Sequence, residues 1–375
     1  QKRLLDPDRA FREHMQRGAQ LAQILADTAK RHAIGENRIN SAMQAFESFS
    51  YDEVMALFRE SERLGVVQAA SSAYAQGLIE EDAVNWQDSL DHYKRAYDLD
   101  ATLEHQQAYA RLCWRMGRWE EAVPLFNDIL KQVAVESGKA GDEYATALND
   151  LALMYETSGR FDAAEPLFDQ ALSIRRRVLG DDHPDTAPSL NNLAALYYAQ
   201  GRYEDAEPLF EEALSIRRRV LGADHPDTAT SLNNLAGLYR SQGRYDDAEP
   251  LFEEALSIHR RVLGDDHPDT ATSLNNLAGL YRAQGRYDDA KPLYDEALSI
   301  RRRVLGADHP DTAGSLNNLA GLFRAQGQYE DAEPLYDEAL SICRRVLGGD
   351  HPNTVTNLNN LAGLFRAQGQ YEDAE

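Results

Sequence analysis

Cysteine is nearly missing from this chain of 375 residues: Cys113 and Cys343 are the two it has, far apart in sequence. A disulfide framework is thereby excluded, and a reducing, cytoplasmic setting is the expectation. Long apolar runs are missing too. No stretch of about 18 residues is apolar enough to span a bilayer, and no charged-then-apolar leader stands at the start, so neither a membrane anchor nor secretion is expected. Positive charge is scarce, with 39 Lys and Arg against 62 Asp and Glu and a net charge of −23. Such a surface repels phosphate backbones and anionic headgroups over most of its area, which argues against nucleic acid and membrane as partners. Any basic site must be local. The chain begins at Gln1 rather than at a methionine, and the natural protein is expected to extend beyond it.

What the sequence does have is repetition. Gly117, Gly159, Gly201, Gly243, Gly285, Gly327 and Gly369 follow one another at intervals of 42 residues. Residues 231–272 and 273–314 are identical at 35 of 42 positions, the differences including Ser241 to Ala283, Glu249 to Lys291 and Phe252 to Tyr294. A stack in which each unit packs only on its neighbours can grow without limit, so the length implies one elongated array rather than several cores.

Each unit reads as a helix pair. Leu232, Leu235, Ala236 and Tyr239 recur at spacings of three and four, one apolar stripe of a first helix. Gly243 offers the left-handed residue that ends it. Tyr245, Ala248, Leu251, Phe252, Ala255, Leu256 and Ile258 then carry a second helix, with Pro250 expected in its first turn. The stretch 223–228, Ala-Asp-His-Pro-Asp-Thr, joins one unit to the next: Asp224 or His225 can precede a first-turn Pro226, and Asp227 suits the positive helix start.

Ala236, Tyr239, Gly243, Tyr245, Ala248, Phe252 and Ala255 resemble the signature positions of the tetratricopeptide repeats. The 42-residue length and the phrases LNNLAGLY, AEPLFEEAL and RRVLGADHPDT are similar to the kinesin light chain subgroup over residues 101–375. The resemblance implies an all-α fold, a right-handed α-solenoid of antiparallel helix pairs. Before it, Trp86, Ser89, Tyr93 and Ala96 read as the second helix of a shorter repeat, and Tyr51, Val54 and Phe58 as another. Residues 35–100 are therefore expected to be divergent helix pairs. Residues 1–34, with Phe11, Met15, Ala19, Ala22 and Leu25 on one side of a helix over 8–32, form a cap or the remnant of a preceding domain. At the other end, Tyr371 to Glu375 begins a second helix and stops. An uncapped unit exposes apolar surface, which further repeats or self-association would cover.

Chemistry-bearing motifs are scarce. There is no Walker loop, GxSxG elbow, HExxH or CxxC pair. His183, His225, His267, His309 and His351 each precede a proline. They recur one unit apart, on the order of 10 Å, too far to share an ion, so caps are expected and no metal. The pairs Asp246/Asp247 and Glu253/Glu254 read as a solvated helix face, and the two cysteines as buried or idle thiols. The runs Arg175 to Arg177, Arg217 to Arg219 and Arg301 to Arg303 sit in the last turn of second helices, where cations suit the dipole. A structural role is expected of them, not nucleic-acid binding.

The candidate site lies on the first helices. Asn233, Gly237 and Arg240, spaced i, i+4 and i+7, share a face apart from the packing stripe. The set returns as Asn275, Gly279 and Arg282, as Asn317, Gly321 and Arg324, and as Asn359, Gly363 and Arg366; Asn191 is the earlier equivalent of the asparagine. The resemblance places this face in the concave groove where partners bind, and implies asparagines and basic residues holding an acidic, aromatic-containing cargo peptide. Asn can bond an extended backbone and Arg can fork to a carboxylate. A helical glycine costs about 1 kcal/mol against alanine, so it needs a reason. Two stay open: approach of a ligand backbone, or packing between first helices. Earlier units carry Trp114, Glu156 and Tyr198 where Arg240 stands, so the arginine-rich half is C-terminal. The second asparagines, Asn234, Asn276 and Asn318, are rotated about 100° and are expected to bond neighbouring helices.

The sequence thus predicts a scaffold without enzymatic activity or cofactor that binds an acidic peptide segment of a protein partner. No heptad segment for attachment to a motor is visible. The alternative is a sensor or regulatory arm of a larger signalling or effector enzyme whose catalytic domain lies outside this chain.

Overall fold

The computed structural model describes residues 69–369. Those residues form fifteen α-helices and no strand. The expectations for the helix over 8–32, for Tyr51, Val54 and Phe58, for the boundary at 34 and for Tyr371 to Glu375 fall outside them. Two compact units are distinguished, residues 69–125 with 346–348, and residues 126–345 with 349–369.

The smaller unit holds α1 (Ala69–Asp82), α2 (Trp86–Leu99) and α3 (Leu103–Arg115), and the first turns of α4 (Trp119–Glu136). Trp86, Ser89, Tyr93 and Ala96 fall on the buried side of α2. The Tyr93 ring rests on bare backbone at Gly77, where a methyl group would come within 2.5 Å of it, and Ser89 Oγ donates to the Gly77 carbonyl at 2.7 Å. Thr102 caps α3 by accepting from the His105 amide at 3.3 Å. The Arg115 guanidinium lies 4.2 Å from the centre of the Trp86 ring and is paired with Glu81. Cys113 is buried, and burial pushes its thiol up to about 12, leaving it protonated and inert.

The larger unit repeats one pair. After α5 (Asp142–Thr157) and α6 (Phe161–Leu179) come α7 (Thr186–Ala199), α8 (Tyr203–Val220), α9 (Pro226–Ser241) and α10 (Tyr245–Leu263). Then follow α11 (Pro268–Ala283), α12 (Tyr287–Val304), α13 (Pro310–Ala325), α14 (Tyr329–Leu347) and α15 (Pro352–Gln368). In the pair α9 and α10, Leu232, Leu235, Ala236, Leu238 and Tyr239 meet Ala248, Phe252, Ala255, Leu256 and Ile258, all buried. Ala236, Ala248 and Ala255 are wholly inaccessible; their small side chains let the helices approach. Each large side chain buried in this seam contributes about 1.5–3 kcal/mol. The architecture is an all-α solenoid of helix pairs.

The turns follow from single residues. Gly243 has φ 77°, a left-handed conformation that a Cβ disfavours. Its amide donates to the Arg240 carbonyl at 3.1 Å and the next amide, of Arg244, to Tyr239 at 2.9 Å, which satisfies two carbonyls that the helix end would otherwise orphan. At the next joint the histidine is the cap. His225 Nδ1 accepts from the Asp227 amide at 3.1 Å, with Pro226 opening the helix, and His267, His309 and His351 do the same. Pro250 is a correction: it is the sixth residue of α10, in the second turn. It is exposed there, so the carbonyl of Asp246 that loses its donor can be satisfied by solvent.

Candidate functional site

Most arginines of the second helices are consumed by the joints between units. In Arg217 to Arg219 each does something different. Arg217 is buried and donates to the Asp227 carbonyl at 2.8 Å and Ser231 Oγ at 3.0 Å. Arg218 forks to both oxygens of Glu254 in the next unit at 2.8 Å, and Arg219 pairs back to Asp182. The pattern recurs at Arg301, Arg302 and Arg303, which engage Ser315, Glu338 and Asp266. At the unit turns, Arg244 bonds Glu207 and Asp247, each at 2.8 Å, and lies 3.9 Å from the Tyr239 ring centre; Arg286 repeats this on Glu249, Asp289 and Tyr281. Burial would raise the Glu249 carboxyl, but hydrogen bonds from Arg286 and Gln284 outweigh it and hold the group below its usual range.

Arg301 is the extreme case, with no exposed surface. It spans two first helices, donating to the Asp311 carbonyl and Ser315 Oγ at 3.0 Å and to Thr272 Oγ1 at 3.1 Å. Burial pulls its guanidinium below the usual range, while Asp311 and Asp269 oppose that pull. The equivalent residue is His259 in one unit, with Nδ1 2.8 Å from Ser273 Oγ. In another it is Cys343, and there the partner changes too: Asn357 stands where the others have serine and donates to Cys343 Sγ at 3.1 Å.

The first helices present a different set. Arg240, Arg282 and Arg324 are half-buried and Arg366 exposed, and none forms a hydrogen bond or ion pair with another described residue. Each of the first three reaches over the glycine of the following unit. A methyl group at Gly279 would lie 2.8 Å from Arg240 Nη1, one at Gly321 2.6 Å from Arg282 Nη1, and one at Gly363 2.9 Å from Arg324 Nη1. These glycines seat the guanidinium of the preceding unit, a packing role between adjacent first helices. Gly237 has nothing within 4 Å, because the residue preceding it in the series is Tyr198, whose hydroxyl goes to Ser241 Oγ at 2.7 Å instead.

The asparagines need correction. Asn191, Asn233 and Asn275 are buried, and their amides donate across the joint to Ser231, Ser273 and Ser315 at 3.4, 2.9 and 3.0 Å. Their Oδ1 atoms are buried as well. These side chains are wedged between neighbouring first helices and do not line an open face. Asn317 is half-buried and accepts from Asn360 at 2.7 Å; Asn359 is exposed, in the last described helix. The second asparagine is the more open one: Asn234 is exposed, and Asn276, Asn318 and Asn360 are half-buried. The i, i+4, i+7 spacing placed three residues on one side, but the neighbouring helix covers the flank that holds the first asparagine.

Sequence reasoning also passed over two aromatic residues. Where Phe168, Phe210 and Phe252 stand in earlier units, the later ones carry Tyr294 and Tyr336, both only 1% exposed. Their hydroxyls point at the same glycines, 3.5 Å from the methyl position on Gly279 and 3.6 Å from that on Gly321. The signal was present, as one of the seven differences between near-identical units.

Among the described residues no group of three His, Cys, Asp or Glu could hold a metal ion, and no helix is long and apolar enough to cross a membrane. Open clefts of about 750 and 720 Å³ recur between second helices, lined by Arg260, Tyr281 and Asp288 and their equivalents Arg218, Tyr239 and Asp246.

A stack of capped helix pairs, with a repeated side-chain register on its first helices, defines a helical-repeat scaffold. The tetratricopeptide repeat pattern matches residues 99–177, 143–219, 185–261, 227–303, 269–333 and 311–375, and the chain belongs to that family. No curated protein matches it. Among solved structures it is similar to a Podosopora anserina protein described as having nearly identical kinesin light chain TPR-like repeats, with 28% identity over 55% of this chain and 97% of that one, at a TM-score of 0.45. It is similar in fold to yeast Tom70, with 15% identity over 88% and 61% of the two chains and a TM-score of 0.57. A Rap protein complexed with competence and sporulation factor is likewise similar in fold, at 16% identity over 91% and 99% and a TM-score of 0.54.

Proposed function

We propose that this chain is a non-catalytic scaffold that holds an extended, acidic segment of a protein partner along the first-helix face of residues 226–368. The family's scaffolds serve protein–protein interaction; the acidic character of the partner is the finer reading. One observation carries it. In a chain of net charge −23, where Arg218, Arg219, Arg260, Arg261, Arg302 and Arg303 of the second helices are matched to carboxylates, Arg240, Arg282 and Arg324 stand at one-unit intervals with none. Half-buried guanidiniums with free donors favour carboxylates of a partner, and the surrounding acidic surface rejects acidic chains that cannot reach them. Asn234, Asn276 and Asn318 stand beside them to bond a peptide backbone.

The test is fluorescence anisotropy with labelled hexaglutamate as the acidic probe and hexalysine as control. Wild-type chain is expected to bind the first and not the second. The triple variant R240A/R282A/R324A should bind about 100-fold more weakly, at roughly 1 kcal/mol per contact. Unchanged binding by that variant would remove the arginine face from the account.

A further inference from the structure

We propose that Tyr294 and Tyr336 complete two successive oxyanion-binding notches, Arg240–Gly279–Tyr294 and Arg282–Gly321–Tyr336, selecting a partner whose carboxylates are three residues apart in a polyproline-type segment. This deepens the preceding reading and rests on it. A phenylalanine fills the same position in four earlier units, so packing does not require the hydroxyl. Neither Tyr294 nor Tyr336 forms a hydrogen bond with another described residue. The charged groups acting on Tyr294 are Arg240 and Arg282, and those on Tyr336 are Arg324 and Arg282. All are pure donors and cannot take the hydroxyl proton.

Each notch therefore gathers donors around a place cleared of a side chain. The hydroxyl lies 3.5 Å from the position a Gly279 methyl would take, and Arg240 Nη1 lies 2.8 Å from it; at Gly321 the values are 3.6 and 2.6 Å. A carboxylate can accept from the phenol with one oxygen and from the guanidinium with the other, both charge-assisted. Arg324 also reaches its glycine, Gly363, but no described tyrosine faces it. Gly237 has neither donor. The two complete notches are thus consecutive.

Their separation sets the ligand's spacing. Packed helices stand about 8–10 Å apart. A polyproline II segment rises about 3.1 Å per residue with three residues per turn, so side chains at i and i+3 lie on one side about 9 Å apart. An extended strand puts i and i+3 on opposite faces and fits less well. The ligand expected is a Glu-Pro-Pro-Glu type of segment.

The experiment compares two labelled peptides of equal composition by anisotropy, Pro-Pro-Glu-Pro-Pro-Glu-Pro-Pro and Pro-Pro-Pro-Glu-Glu-Pro-Pro-Pro. Wild-type chain should prefer the first by about tenfold. The double variant Y294F/Y336F, which restores the residue earlier units use and so preserves packing, should lose that preference and bind the first peptide about tenfold more weakly. If the double variant retains both affinity and preference while R240A/R282A/R324A still loses hexaglutamate, the notches are refuted and the arginine face stands. If wild-type chain binds neither peptide nor hexaglutamate, both readings fall. A phosphoserine version of the first peptide, with phosphoserine at both Glu positions, separates the anion sources: tighter binding than Glu by more than tenfold would overturn the choice of carboxylate.

Discussion

Arginine appears in the same repeat in two settings, and the settings behave oppositely. On second helices Arg218, Arg260 and Arg302 fork to Glu254, Glu296 and Glu338 of the next unit. On first helices Arg240, Arg282 and Arg324 also lean toward the next unit but meet a glycine. The first set is internal bracing, neutralised within the molecule. The second keeps its hydrogen-bonding capacity unspent among the described residues. A count of basic residues cannot separate the two; the identity of the residue one unit onward, Glu or Gly, does.

The contrast can be broken at several points, the largest effect first. Arg301 is the buried limit of the bracing set, and R301A should lower the denaturation midpoint sharply, by the equivalent of about 3–5 kcal/mol, because Asp269 and Asp311 are left buried beside a void. R301C/S315N copies the Cys343 and Asn357 arrangement and should recover part of that loss in the same melt. Next in size is the loss of acidic-peptide binding in R240A/R282A/R324A, with stability nearly unchanged by thermal melting. A gain is expected from Y198R/F252Y, which builds the missing donors over Gly237; anisotropy with a peptide carrying three Glu residues three apart should tighten about tenfold.

Smaller still is the effect of R218A or R260A, surface bridges, the first exposed and the second half-buried, of about 0.2–1 kcal/mol each, read as a slight shift of melting temperature with peptide affinity intact. Smallest is a pH effect. Glu207 and Glu249 are held below the ordinary carboxylate range, with burial opposing and bonds from Arg244 and Arg286 prevailing. Their contribution is therefore full above the unfolded carboxylate value, about 4.3, and is lost as pH falls through the lower folded value. A melt series should show that component disappear only in acid, and E249Q should remove the Glu249 share of it.

Near-identical units make coupled changes visible. Glu249 pairs with Arg286 one unit on. Where the glutamate becomes Lys291, the residue that takes the arginine's place is Gln328, and Lys291 turns to Asp295 at 2.7 Å. The serine-to-asparagine change at 357 beside Cys343 is the same kind of event. The first swap removes a like-charge clash that a single change would have left; in the second, the shorter Cys343 side chain is met by the longer amide of Asn357.

The helix pairs were legible in the sequence because apolar spacing, Gly243 and His225 all state the same thing locally. The site was legible only in part. Arg240 and its equivalents could be placed on the open face because a long side chain at i+7 escapes the packing stripe. Which of two adjacent asparagines is covered depends on how the next first helix leans, and that is tertiary: Asn233 went under it and Asn234 stayed out. The helix starts at Tyr245, directly after the Gly243 turn, and this carries Pro250 into its second turn. The hydroxyl of Tyr294 gave a visible letter change, but its meaning lies in Gly279 and Arg240, brought to it from other helices.

The most direct measurement sets the two arginine sets against each other in one assay: anisotropy of labelled hexaglutamate with R240A/R282A/R324A and with R218A/R260A/R302A, which remove the same formal charge. If the first-helix arginines are the binding face, the first variant loses about 100-fold in affinity and the second stays within about twofold to threefold of wild type. Equal losses in both would mean that the probe senses only total charge, and would contradict the distinction on which the scaffold's binding mode is built.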